Sequence, residues 1–177
     1  MSHILDDTNV LDPEGRELPL GQLWRERPAV VVFVRHFGCL FCRQQVAEIV
    51  SWLNEVRSLG GELYVVGHGT LEQMRAFRDE QSVPFPLFTD PTRRAYDVVG
   101  MRRGLRTVLT PGVLRRSLQA RRSGFRQSRV AGDPLQQGGV LVVAADGREL
   151  YRFISREAGH HAPPAEVLAA LKAATRV

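Results

Sequence analysis

The only two cysteines of the chain stand three apart, in Cys39-Leu40-Phe41-Cys42, a few residues after the apolar run Ala29 to Val34, AVVVFV. That junction constrains the fold more than any other feature. Six apolar residues without polar alternation predict a strand buried on both faces, as a central parallel strand is. A helix that follows it carries the CxxC pair at its N-terminal mouth. There the backbone N–H groups of the first turn lack intrahelical partners, and the helix dipole favours negative charge. A thiol attacks only as its thiolate, so this is a place where a cysteine gains reactivity. Side chains three apart on a helical turn are neighbours, which puts the two sulfurs within reach of a reversible disulfide. Arg35 and Arg43 flank the motif and are expected to stabilise the thiolate; His36 does so only when protonated.

Two other uses of such a pair carry less. Structural zinc takes four ligands. His36, His68, His160 and His161 offer no second CxxC or HxxxH pair, and the flanking arginines oppose a cation, so no metal and no cofactor are expected. Inert cysteines packed as small hydrophobes are the stronger competitor.

The rest of the pattern surrounds this junction with alternating strands and helices. Val10 to Leu18 reads as a hairpin turning at Pro13 to Gly15. The stretch from Leu20 reads as a short helical turn ending before Pro28. Apolar positions Val46, Ile49, Val50, Leu53 and Val56 predict one long helix from Cys39 to Leu59, stopped by Gly60-Gly61. Glu62 to Gly67 is a second strand. Thr70 to Gln73 has a capping-box pattern and opens a helix through Glu80. Phe85 to Thr89 is a third strand, and Asp90-Pro91 is expected to cap a helix to Val98. Thr110-Pro111 opens another, to about Arg122. Gly138 to Ile154 is a hairpin turning at Asp146-Gly147. Pro163 to Thr175 is an amphipathic helix. This order predicts a mixed central sheet flanked by helices, an α/β thioredoxin-like fold in one domain over 1–177.

Charge is unevenly spread. All 19 acidic residues lie outside the interval from Val98 to Gly132, which holds nine of the 24 basic ones, all arginine. Residues 101–135 are therefore expected to form an Arg-rich helical insert. If its helix ran past Arg122, Arg115, Arg122 and Arg126 would share one side, beside Leu114, Leu118 and Phe125, and could face a membrane or an anionic partner. A solvated cover over the redox helix is the favoured expectation, because charge clusters alone identify ligands poorly. Nucleic acid is not expected, since Phe125 is the sole aromatic among the arginines. The first residues carry acids where a signal peptide carries positive charge, so a soluble cytoplasmic protein is expected, in a compartment where a paired cysteine motif is reactive more often than structural.

The segments Val30 to Arg43, Asp90 to Gly100, Gly132 to Phe153 and Ala158 to Leu171 together resemble the peroxiredoxin-like branch of the alkyl hydroperoxide reductase/thiol-specific antioxidant superfamily. The resemblance implies a thioredoxin fold and thiol-dependent reduction of peroxides or endoperoxides. It implies thioredoxin, glutaredoxin or a small thiol as reductant, and a homodimer as an assembly to test. Peroxiredoxins carry P-x-x-x-T-x-x-C. On that spacing Cys42 takes the peroxidatic place, Cys39 the threonine's and Arg35 the proline's. In thioredoxins the first cysteine attacks, which points to Cys39. Gln136-Gln137 stand where peroxiredoxins place an arginine, and no proline stands directly before the Val140 strand, where thioredoxins keep a cis-proline. Three functions follow as expectations: a thiol peroxidase, a thiol–disulfide exchanger acting on proteins, or a non-enzymatic redox sensor or scaffold.

Overall fold

The computed structural model describes residues 2–104, 110–124 and 133–174. In chain order these form α1 (Ser2–Asp6), β1 (Asn9–Leu11), β2 (Glu17–Pro19), a 3-10 turn (Leu20–Leu23), β3 (Ala29–Phe33), α2 (Leu40–Val50), α3 (Leu53–Ser58), β4 (Glu62–Gly67), α4 (Leu71–Gln81), β5 (Leu87–Thr89), α5 (Arg94–Val99), α6 (Pro111–Arg122), β6 (Gly139–Val143), β7 (Glu149–Ile154) and α7 (Pro164–Ala174). The strands make one sheet in the order β2-β1-β5-β4-β3-β6-β7. β3, β4 and β5 run parallel, while β1, β2, β6 and β7 pair antiparallel with their neighbours. The mixed α/β sheet of the sequence reading is therefore present.

β3 lies between β4 and β6, with all five residues buried, which explains its lack of polar alternation. Val30 and Val32 pack on one face with Val46, Ile49, Met74, Phe77, Val167 and Leu171. Ala29, Val31 and Phe33 pack on the other with Leu20, Trp24, Tyr96, Val99 and Leu141. The period-two alternation of a strand divides the core into these two layers. Burying each valine or leucine contributes roughly 1.5–3 kcal/mol.

Three expectations change. The single helix from Cys39 to Leu59 is two helices, α2 and α3. At the break the amides of Ser51 and Trp52 bond back three residues, to Glu48 and Ile49, and Ser51 Oγ donates to the Glu48 carbonyl at 2.7 Å. Such local bonds compete with the helical ladder and bend it. The helix after Asp90-Pro91 starts three residues late, at Arg94. The Asp90 carboxylate accepts the amides of Thr92, Arg93 and Ala95, and Arg93 takes a left-handed φ of 65°. Asp90 still satisfies a helix-end amide, but across an intervening turn. Finally, α6 ends at Arg122, with Ser123 as its C-cap, so no helical stripe continues into Ser123 and Gly124. Phe125, Arg126 and Arg129, like Arg106, lie outside the described residues.

The anticipated caps of the other helices are present. Thr70 and Gln73 form a reciprocal capping box, and Thr110 Oγ1 accepts the Val113 amide. Each is a local device that a single residue type supplies. α1 was not foreseen, because five residues are too few for a periodic signal. No described helix is long and apolar enough to cross a membrane.

Candidate active site

β3 delivers the chain to the site, and the six residues that follow it set the sulfurs. Gly67, at the end of the neighbouring β4, leaves room for the Phe37 ring; a Cβ there would fall 2.2 Å from it. Phe37 also packs on Phe77 of α4, ring centroids 5.4 Å apart. With Phe37 seated, Cys39 becomes the N-cap of α2, and its carbonyl accepts the Arg43 amide at 3.1 Å. Cys42 lies in the first turn. Both cysteines are free and nearly closed off, Cys39 at 4% exposure and Cys42 at 1%.

The backbone N–H of Arg35 donates to Cys42 Sγ at 3.2 Å. The hydrogen bond that the Cys42 thiol would give a Cys39 thiolate is the main influence lowering the Cys39 thiol, from the usual 9.0 to about 6; burial opposes it, and the Arg35 charge and the amides of Cys42 and Phe41 assist. These amides favour negative charge on Cys39 although neither makes a full cap hydrogen bond to it. Cys42 is pushed up, first by burial and then by Cys39. The physical content is a pair holding one negative charge. The first proton leaves readily, and the second stays because two adjacent buried thiolates repel.

Arg35 itself is 6% exposed. Its Nε donates to the Gln136 carbonyl at 2.8 Å and its Nη2 to the Pro134 carbonyl. These oxygens fix the guanidinium near the sulfurs, where its charge favours thiolate on both cysteines. Arg43 has a different setting. It pairs with Glu80 and lies over the Phe77 ring at 5.9 Å. The structure thus gathers Cys39, Cys42 and Arg35, and engages Arg43 with α4.

The arginine interval contributes to the same region. α6 packs on α2, burying Val113 and Ala120 in the layer that holds the cysteines. Glu157 clamps it by accepting from Thr110 Oγ1 and pairing with Arg116. Gly159, with φ of 74°, lies beside the Phe41 ring and the Arg116 side chain. On α6, Leu114 and Leu118 are exposed, at 65% and 51%.

Two further residues lie at the site: Tyr96, which sequence reasoning did not single out, and Gln136, which it noted only as standing in the place of an arginine. Tyr96 of α5 is fully buried, and its hydroxyl meets the carbonyls of Val34 at 2.6 Å and Val66 at 3.1 Å. Gln136, also fully buried, donates from Nε2 to the Met101 carbonyl at 3.2 Å. Both lie in segments that carried the family resemblance, but their roles depend on long-range contacts that no local pattern encodes. Among the described residues no group of three or more His, Cys, Asp or Glu side chains is placed to hold a metal ion.

Comparison with known proteins agrees with this geometry. The fold is similar to that of Mycobacterium tuberculosis peroxidoxin BcpB, with a TM-score of 0.69 at 16% identity, covering 97% of this chain and 96% of that one. It is similar too to Xanthomonas campestris peroxiredoxin Q, with a TM-score of 0.65 at 19% identity, covering 97% and 94%. A thioredoxin-like sheet with a dithiol at the mouth of its first long helix after β3 defines a class, the thiol oxidoreductases. In sequence the chain is similar to the thioredoxin-like protein AAED1, chloroplastic, of Arabidopsis thaliana, 32% identical over 94% of this chain and 71% of that protein. It is similar to human peroxiredoxin-like 2C, 33% identical over 84% and 69%, and to the prostamide/prostaglandin F synthase of Salmo salar, 30% identical over 96% and 88%. The AhpC/TSA antioxidant enzyme family matches residues 48–157. The chain belongs to that family: it is a peroxiredoxin-like, thiol-dependent antioxidant oxidoreductase. The matched segment begins beyond Cys42, so the sulfur chemistry rests on the geometry described above.

Proposed function

We propose that the protein reduces a peroxide through Cys39 and Cys42, with Cys39 attacking and Cys42 resolving. The observation that carries this is the place of Cys39 at the N-cap of α2, where the Arg35 charge and the amides of Cys42 and Phe41 favour its thiolate. Cys39 is also the less buried of the two. A thiolate at Cys39 attacks one oxygen of the O–O bond; the bond breaks, the alkoxide takes a proton, and Cys39 becomes a sulfenic acid. Cys42, deprotonated, then attacks the Cys39 sulfur; the S–S bond forms and hydroxide leaves as water. A dithiol donor returns the pair to the reduced state by exchange. With both sulfurs at a few per cent exposure, peroxide reaches Cys39 through local opening of the surrounding packing.

Arg35 is assigned the part of holding the thiolate charge, with its guanidinium seated on the 134 and 136 carbonyls. Thioredoxin, glutaredoxin or a small thiol as donor, and a cytoplasmic setting, complete the proposal. One relative is named a prostamide/prostaglandin F synthase, and the family resemblance extends to endoperoxides, which makes them a substrate class to assay beside hydroperoxides. A second reading is thiol–disulfide exchange on proteins. The acidic first cysteine favours it, because a low-pKa thiol at the N-cap serves exchange as well as peroxide attack.

The test is peroxide consumption with a dithiol donor. The wild-type protein turns over; Cys39→Ser does not, and Cys42→Ser stops after one equivalent with a sulfenic acid on Cys39. Consumption of a model disulfide without consumption of peroxide selects the second reading.

A further inference from the structure

One peptide group links Tyr96 to Cys42. Its carbonyl belongs to Val34 and its N–H to Arg35. The Tyr96 hydroxyl donates to the carbonyl at 2.6 Å, and the Arg35 N–H donates to Cys42 Sγ at 3.2 Å. The hydroxyl has one proton, and the Val66 carbonyl at 3.1 Å is the longer of its two contacts. Val66 is already served by the Val34 amide at 2.9 Å, so the short contact is to the peptide that faces the sulfur. The aromatic ring is wedged edge-on against Phe33, centroids 5.3 Å apart, and Tyr96 is fully buried. A neutral phenol is retained there because burial pushes its ionisation far up. It is therefore a permanent donor.

We propose that Tyr96 is a positioning residue for the redox pair: by donating to the Val34 carbonyl it fixes and polarises the Val34–Arg35 peptide, and so strengthens the N–H that holds negative charge on Cys42. Hydrogen bonds in series strengthen each other, because an acceptor carbonyl drawn toward a donor leaves its own amide more positive. The beneficiary is Cys42 whenever it must carry charge. That happens when its thiolate attacks the Cys39 sulfenic acid. It happens again when a dithiol donor attacks Cys39 of the disulfide: a new S–S bond forms to the donor, the Cys39–Cys42 bond breaks, and its electron pair goes to Cys42. The charged groups bearing on Cys42 are Cys39 of α2 and Arg35 after β3, and the His36 amide also favours its thiolate; Asp90, after β5, and Cys42 itself bear on Tyr96. Tyr96→Phe changes none of these charges. The inference rests on the proposed roles of the two cysteines, but its test does not require turnover.

The experiment reads thiolate absorbance against pH in single-cysteine proteins. In Cys39→Ser, adding Tyr96→Phe raises the Cys42 pKa by about half a unit to one unit, the scale of one altered hydrogen bond in a buried site. In Cys42→Ser, the same change leaves the Cys39 pKa where it was. A 3-fluorotyrosine introduced at position 96 alone keeps the hydroxyl and the packing but donates more strongly, and it lowers the Cys42 pKa. An unmoved Cys42 pKa in both the phenylalanine and the fluorotyrosine proteins overturns the proposal. So does an equal shift of both cysteines, which is the mark of a general structural disturbance. Loss of peroxide turnover in the wild-type protein would count against the functional reading and leave this measurement intact.

Discussion

The backbone nitrogen of Arg35 lies 3.2 Å from Cys42 Sγ, so the segment leaving the buried strand solvates the second sulfur of the motif directly. Arg35 acts twice, since its guanidinium, held by the carbonyls of Pro134 and Gln136, favours thiolate on both cysteines. Replacing it by methionine keeps the amide and removes the charge. Arg35→Met is expected to raise the Cys39 pKa by about one unit, worth about 1.4 kcal/mol in the thiolate. Two carbonyls lose their donor, at about 1–3 kcal/mol each where they stay buried. Thiolate absorbance and denaturant unfolding measure the two effects separately.

Arg43 provides the contrast. It is paired with Glu80, whose side chain is 53% exposed, and stacked on Phe77. Glu80→Gln is expected to cost less than about 1 kcal/mol, as partly exposed pairs do. It should leave both cysteine pKa values unchanged. A clear shift at Cys39 would mean that Arg43 turns toward the sulfurs in solution.

The paired cysteines also make stability depend on pH, with opposite signs. The Cys39 thiol is lowered from its usual 9.0 to about 6. Its contribution is therefore present above pH 9 and is lost as pH falls from 9 through 6, where unfolding takes up a proton. Cys42 is raised; its contribution is present below pH 9 and is lost as pH rises beyond that. Reduced wild-type protein should gain stability relative to Cys39→Ser on going from pH 6 to pH 9. Unfolding curves of the two proteins at both pH values check it, because the titrating groups other than Cys42, which Cys39 itself raises, cancel in the difference.

Gly67→Ala tests how the turn before Cys39 is built. A Cβ at that position falls 2.2 Å from the Phe37 ring, and Phe37 is buried between β4 and α4. Overpacking of this kind typically costs about 1–3 kcal/mol. Displacement of Phe37 should also disturb the cysteine pair, so the variant is expected to lose stability and to alkylate faster at Cys39. Stability loss alone would show that Phe37 does not brace the motif.

Much of this architecture could be read from local chemistry. AVVVFV gave a strand with no exposed face, Thr70-x-x-Gln73 a cap, and Asp146-Gly147 a hairpin turn, because each signal is satisfied within a few residues. The CxxC spacing located both sulfurs for the same reason. What escaped was set either by a choice between competing local bonds or by distant parts of the chain. The break between α2 and α3 depends on whether Ser51 bonds back to Glu48 or lets the ladder continue, and periodicity is the same in either case. The late start of α5 depends on an Asp90 carboxylate serving amides across a turn. Tyr96 reaches Val34, 62 residues away in sequence, and Arg35 reaches Gln136, 101 away. No window along the chain contains either pair. Arg43 illustrates the converse: its neighbour in sequence is the motif, but its partner in space is Glu80.

The central claim is that Cys39 and Cys42 pass reversibly between dithiol and disulfide, with oxygen first accepted by Cys39. Mass spectrometry of the peptide spanning both cysteines, taken after one equivalent of peroxide and again after a dithiol donor, tests it most directly. The account predicts loss of a hydrogen pair on oxidation, full recovery on reduction, and a trapped sulfenic acid at Cys39 in Cys42→Ser. A peptide that keeps both thiols in excess peroxide, or a sulfenic acid that forms only on Cys42 in Cys39→Ser, would contradict it.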